Sequence, residues 1–498
     1  MANPNSLTPL ARPITGNYGS SHQVNVMEEL ESMFDISDDQ VQVLIQGFMD
    51  EMKAGLANGH YDQYRRNDLK MIPSYVTGHP TGNEKGTYLA LEISGVDIYV
   101  CQVKLKGEGG KLAINQYQYK IPDHLTAGDD IGVLFDYMAD CVADFQRRVG
   151  TSPTSPGQDV DDLAPRTYSM AISMGFAIRQ TGLARGTIVA LEHGFEFANA
   201  IGCEVVEALH EKFQAKGLAI KIVALANDSV STLLAHAYQH PSTRIGIVHA
   251  AGTNCAYYDK VSNMTGMLAQ HEGPEINMQE EMIVNTEWCN FGTRNHLPMT
   301  AFDQQLDAES NNHGIHIFEK MTTGMYLGEV VRQVIVYLLD RQFLSFTTDD
   351  EDCLIRIPYH FDTSYMYVCE ADEDLDTLED TRVVLEEMCK VGATTLADRE
   401  IVKKACELVG HRAAHLLGAS IASIVRYTFD QGIGPDLEGG FAIAISGDVY
   451  KDYPSFHPRV CETLKALIPN DMAARLSVGI VQNSRIVGAA IVAMLSES

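Results

Sequence analysis

A strand, a glycine turn and a second strand occur twice in this chain, near residue 88 and again near residue 245. In the first copy, Tyr88-Leu89-Ala90-Leu91-Glu92-Ile93 alternates with the two-residue period of a strand and breaks at Ser94-Gly95. A second strand returns over Asp97 to Lys104, a third over Ala113 to Tyr119, and a helix over Leu134 to Arg148. In the second copy, Arg244-Ile245-Gly246-Ile247-Val248 enters a turn at Ala251-Gly252, and Asn254 to Lys260 leaves it. The separation is far too long for a solenoid. It suits two α/β domains of related design, for which 498 residues leave room. Helical periodicity lies outside the two units: near Val26 to Leu30, from the acidic start Asp38-Asp39 to Ile45, and over Asp398 to Arg426.

Composition removes several function classes. Lys and Arg number 37 against 66 Asp and Glu, a net charge of −29, and the basic runs are pairs such as Arg65-Arg66. Binding nucleic acid needs cations to displace counterions from phosphates, so no nucleic-acid partner is expected. A phosphorylated ligand would need a local site built from backbone N–H groups. A hydrophobic fraction of 45% excludes wholesale disorder. The polar start, residues 1–20, is expected to be flexible, and Thr151 to Gly157 reads as a surface loop. There is no signal-peptide pattern and no run of about 20 apolar residues. The ten cysteines show no CxxC pair and read as free thiols. The expectation is a soluble intracellular protein without a membrane span, in the cytoplasm, with the nucleus or an organelle surface as alternatives. No metal site is expected, since His236 with His240 and His313 with His316 lack further ligands. The acidic tracts Asp349 to Asp352 and Glu370 to Asp380 read as solvated loops.

The apolar run Ile222 to Ala226 ends in Asn227-Asp228. That places two polar side chains at the C-terminal edge of a buried strand, where open α/β sheets bind ligands. Taken alone, the pair is better read as a turn and helix cap. Asn285-Thr286-Glu287-Trp288 sets a carboxylate beside the single tryptophan. With Asn83-Glu84-Lys85-Gly86, Leu134 to Cys141, Arg179 to Leu183, Gly252-Thr253-Asn254, Phe318-Glu319-Lys320-Met321, Tyr326 to Glu329 and Arg412 to Leu416, these segments resemble the hexokinase family, in family order, over almost the whole chain.

The resemblance implies the duplicated actin-like ATPase (ribonuclease H-like) fold, with small and large α/β domains around a sugar cleft. The implied division is a flexible 1–20, N-terminal helices over 21–76 packing on the large domain, a small domain over 77–226 rejoined by 480–498, and a large domain over 227–479. It also implies hexose contacts at Asn227, Asp228, Asn254, Glu287 and Glu319, with Asp228 as the general base for the attacking hydroxyl. Three implied small-domain contacts are altered. The family's Ser-Phe-Pro reads Gly175-Phe176-Ala177, and its Thr-Lys pair reads Glu192-His193. At about 1 kcal/mol for each ordinary hydrogen bond, their combined loss weakens sugar binding by about two orders of magnitude.

The nucleotide side departs further from the family pattern. Asp-Leu-Gly-Gly-Thr-Asn-Phe-Arg becomes Glu92-Ile93-Ser94-Gly95-Val96-Asp97-Ile98-Tyr99. Val96 removes a hydroxyl donor, Tyr99 removes a cation, and Asp97 adds a negative charge. Gly-Thr-Gly-Thr-Asn becomes Ala250-Ala251-Gly252-Thr253-Asn254, Val-Asp-Gly-Ser becomes Ile445-Ser446-Gly447-Asp448, and Asp-Gly-Ser-Gly becomes Asn483-Ser484-Arg485-Ile486, ahead of a retained Gly488. Phosphoryl transfer depends on positioning and charge stabilisation, and one lost donor of that kind costs about 3–4 kcal/mol. The expectation is therefore a catalytically impaired or inactive, sugar-responsive regulator of carbon-source signalling. It resembles the atypical hexokinase-like proteins of filamentous fungi, with glucose as ligand and a protein as partner. No cofactor is assigned beyond MgATP, which is expected if activity remains. Two alternatives stand beside it: an active hexokinase with an unusual nucleotide site, and a scaffold that binds neither ligand.

Overall fold

The computed structural model describes residues 21–58, 68–149, 167–191, 194–269, 276–292, 294–348, 352–433 and 440–497. The expectations for residues 1–20 and 151–157, for Asp349 to Glu351, and for Glu192 and His193 lie outside the described residues.

Eleven strands build the two principal sheets: β1 (Ile72–Thr77), β2 (Lys85–Ser94), β3 (Asp97–Gly107), β4 (Lys111–Lys120), β5 (Tyr168–Met174), β6 (Ile220–Ala226), β7 (Thr243–His249), β8 (Thr253–Lys260), β9 (Glu281–Asn285), β10 (Phe441–Ser446) and β11 (Leu476–Ile480). One sheet runs β6-β5-β2-β3-β4, and the other β1-β9-β8-β7-β10-β11. In the first, β2, β3 and β4 form an antiparallel meander, while β5 and β6 add in parallel on the other side of β2. In the second, β7, β8 and β9 repeat the meander, β10 and β11 repeat the parallel pair, and β1 is an added antiparallel edge. The chain has thus built one topology twice, as the repeated strand–turn–strand pattern implies. Both meanders turn tightly. Ser94 pairs with Asp97 around Gly95, whose φ of +56° suits a residue without Cβ.

The helices α1 (Ser21–Phe34), α2 (Asp38–Ala57), α3 (Asp228–Ala237), α4 (Leu396–Asp430) and α5 (Ser484–Leu495) organise three cores. Val26, Leu30, Leu44 and Phe48 of α1 and α2 join Val409, Leu416 and Ile424 of α4 in the core under the second sheet. Leu134, Phe135 and Met138 cover one face of the first sheet through Leu89, Leu91 and Ile172. Its other face, with Ala90 and Cys101, meets Leu233 and Leu234 of α3, Ala489 and Ala490 of α5, and Tyr258 and Ile283 of the second sheet. Two apolar helices are therefore sandwiched between the duplicated sheets, and their N-termini open on the same seam.

α4 begins two residues before, and ends four residues after, the helix read from periodicity; Thr395 and Asp398 form its capping box. By composition it is long and apolar enough to cross a membrane, but 89% of its most apolar window is buried inside the molecule. All ten cysteines are free thiols. Part of the acidic tract Glu370 to Asp380 is not a solvated loop. Glu370 is buried against Arg459 at 2.6 Å, and Asp372 accepts from the Thr381 N–H at 2.8 Å. These carboxylates are buried because each has a specific donor, which charge density along the chain does not reveal.

Candidate functional site

Strand β6 ends at Ala226, and Asn227 becomes the N-cap of α3, its side chain accepting from the Ser229 N–H at 2.9 Å. The cap reading of this residue is therefore correct in part. It also fixes the adjoining Asp228, whose Oδ1 accepts from the same N–H at 2.7 Å. Burial raises the Asp228 carboxyl above its ordinary range, the Arg485 charge pulls it down, and the Glu319 charge pushes it up. A carboxylate so placed is a stronger base than one in water.

The other implied sugar residues converge from the second sheet. Asn254, near the start of β8, donates from Nδ2 to Glu287 Oε1 at 3.0 Å, and Asn285 at the end of β9 donates to the same oxygen at 2.7 Å. Glu287 itself has left-handed backbone, φ +51°, just before Trp288. Glu319, on the short helix Ile317–Thr322, accepts the Thr253 N–H at 2.9 Å. A Cβ on Gly252 would lie 2.8 Å from the Glu319 carboxylate, which would have to shift to admit it. The face thus assembled carries carboxylates and amides, the groups that pair with adjacent sugar hydroxyls. Gly175 follows β5, and its N–H donates to the Ile93 carbonyl at 3.2 Å.

The residues that the resemblance assigns to the phosphate loops gather at the same seam. Val96 is exposed at the tip of the β2–β3 turn beside Asp97. Gly447 follows β10 with φ +124°, and Asn483 caps α5 in left-handed backbone. Gly488 faces the Ser231 carbonyl of α3. Thr232 of α3 ties the seam together, donating to Ser484 at 3.0 Å and sharing a hydrogen bond with Ser446 at 3.1 Å. The retained Thr253 is turned inward. Its hydroxyl donates to the Val248 carbonyl at 3.0 Å and accepts from the Trp288 indole N–H at 2.9 Å, while its N–H is held by Glu319.

Motif reading missed the contribution of Arg485. From the first turn of α5 its Nη1 reaches Glu92 Oε1 at 3.1 Å and Ser94 Oγ at 3.0 Å. The only local signal was a long cation at the exposed start of an otherwise apolar helix. Glu92, whose side chain is 6% exposed, is raised above its ordinary range by burial; Arg485 opposes that shift and Asp228 adds to it. Glu92, Asp228 and Arg485 therefore form one electrostatic group.

Two hexokinase family models match the chain, over residues 26–238 and 244–495. Hexokinase-2 of Oryza sativa subsp. japonica is 31% identical over 473 residues, covering 94% of this chain and 90% of the relative. Hexokinase-1 of Saccharomyces cerevisiae is 31% identical over 484 residues, covering 95% and 92%. A Schistosoma mansoni hexokinase solved in complex with glucose superposes with a TM-score of 0.78 at 29% identity, covering 96% of this chain and 99% of that one. The architecture is the two-domain, actin-like sugar-kinase fold.

Proposed function

This chain belongs to the hexokinase family, and from that premise we propose that it binds hexose on its large-domain face and transfers phosphate poorly or not at all, acting as a sugar-responsive regulator. Hexose is the ligand because Asn254, Glu287, Glu319, Asn227 and Asp228 present a converging set of donors and acceptors, and a relative of the same fold was solved with glucose. The observation that carries the impaired-transfer half of the reading is the inward orientation of Thr253. Both of its donors are already used within the protein, on Val248 and Glu319, in the loop where a phosphate would need them. The first loop offers Val96 and Asp97 in place of neutral donors, so the transferred group loses stabilisation on both sides. The competing reading, an active hexokinase, draws on the names of the relatives and on the placement of Asp228.

Thermal melting tests the ligand preference, since a ligand that binds only the folded state raises the midpoint. Saturating glucose is expected to raise it, with millimolar MgATP giving a smaller shift or none. A clear shift with MgATP and none with glucose would overturn the proposal.

A further inference from the structure

In a phosphotransferase of this fold, a divalent cation bridges site carboxylates and phosphate oxygens, and such an ion needs open, negatively charged coordination positions. The residues present here do not fit that ion. The carboxylate at the end of β2, Glu92, already faces a guanidinium at 3.1 Å, and the same Nη1 holds Ser94 Oγ at 3.0 Å. The same charge pulls the Asp228 carboxyl down, against the effect of burial. Arg485 is not a loose surface group at this point. Its helix start is pinned to α3 by the Thr232–Ser484 hydrogen bond, and Gly488 one turn on lies against the Ser231 carbonyl. A planar guanidinium satisfies two oxygens at fixed geometry and keeps its charge at all working pH values.

We propose that Arg485 is a built-in counter-cation that takes the place of a divalent metal at Glu92, so that a phosphate group entering this seam does so without magnesium. This rests on the hexokinase-like reading of the site but not on its hexose preference. A dication brought to Glu92 would have to displace a bonded cation and sit beside its positive charge. A phosphate could meet the guanidinium directly, as its side chain is 49% exposed.

Manganese binding followed by electron paramagnetic resonance tests the assignment in the full chain. The wild-type protein should show no bound Mn²⁺ component that Glu92→Gln removes. Arg485→Ser should gain one such site, at least tenfold stronger than any in the wild type, and Arg485→Ser with Glu92→Gln should lose it again. Arg485→Lys keeps the charge and should behave as the wild type, which preserves the test if the serine variant fails to fold. Magnesium should also add nothing to the melting shift that ATP gives in EDTA. A Glu92-dependent Mn²⁺ site in the wild type, no gained site in a folded Arg485→Ser, or an ATP shift that requires magnesium would each overturn the assignment. Glucose melting on the same samples separates the two proposals: loss of the glucose shift alone removes the hexose reading and leaves Arg485 in its role.

Discussion

At the scale of single residues, the seam contains groups whose titration is shifted by burial. His249 is fully buried at the end of β7, stacked on Phe456 at 5.4 Å, and burial lowers its pKa from 6.5 to about 3. A histidine depressed in the folded state stays neutral there while the unfolded chain takes up a proton. Its contribution is thus fully present above pH 6.5 and is lost as pH falls from 6.5 toward about 3. The raised carboxyls Asp228 and Glu92 act in the opposite sense, because they favour the folded state as acid protonates them. A difference measurement isolates the histidine. His249→Phe should lose less stability than the wild type between pH 7 and pH 5, read from urea midpoints at both values. An unchanged pH dependence would mean that His249 is not held neutral.

At the scale of elements, the strands, the turns and the long helix were legible because each carries its own period: two residues in β2 and β7, about 3.6 along α4. The five large-domain residues proposed to bind hexose were legible as family motifs, and the structure draws Asn254 to Glu287 and Glu319 to Thr253. The pairing of Arg485 with Ser94 was not legible, because it joins positions 391 apart, and no local pattern encodes a contact between a strand end and a helix so distant in the chain. The burial of Glu370 was hidden for the same reason: its partner Arg459 lies on another helix. The close contact of α3 with α5 likewise depends on a distant pair. A Cβ on Gly488 would meet the Ser231 carbonyl at 1.9 Å, so Gly488→Ala must push the helices apart. Its expected cost is about 1–3 kcal/mol in chemical denaturation, as for other overpacked contacts. A neutral result would show that α5 shifts freely on α3, and the rigid anchoring of Arg485 would go with it.

At the scale of the whole molecule, the two duplicated sheets share one pair of helices, and the proposed hexose face lies on one side of their seam. A ligand shifts a conformational equilibrium only by its differential affinity for the two states. Gly175 has no side chain to reach across, and the serine expected at that place in the family is gone. Glucose should therefore gain little from drawing the small domain in. Small-angle scattering with saturating glucose should show only a small change in radius of gyration. A full compaction would mean that other small-domain groups replace the missing contact.

The proposed function pairs a hexose-binding face with phosphate loops that no longer support transfer. Steady-state phosphorylation of glucose by the purified protein with MgATP, coupled to a reporter enzyme, tests it most directly, with Asp228→Ala as the control against a contaminating kinase. The account predicts turnover orders of magnitude below the ordinary enzymatic range of about 1–1,000 per second. Turnover within that range, abolished by Asp228→Ala, would contradict it.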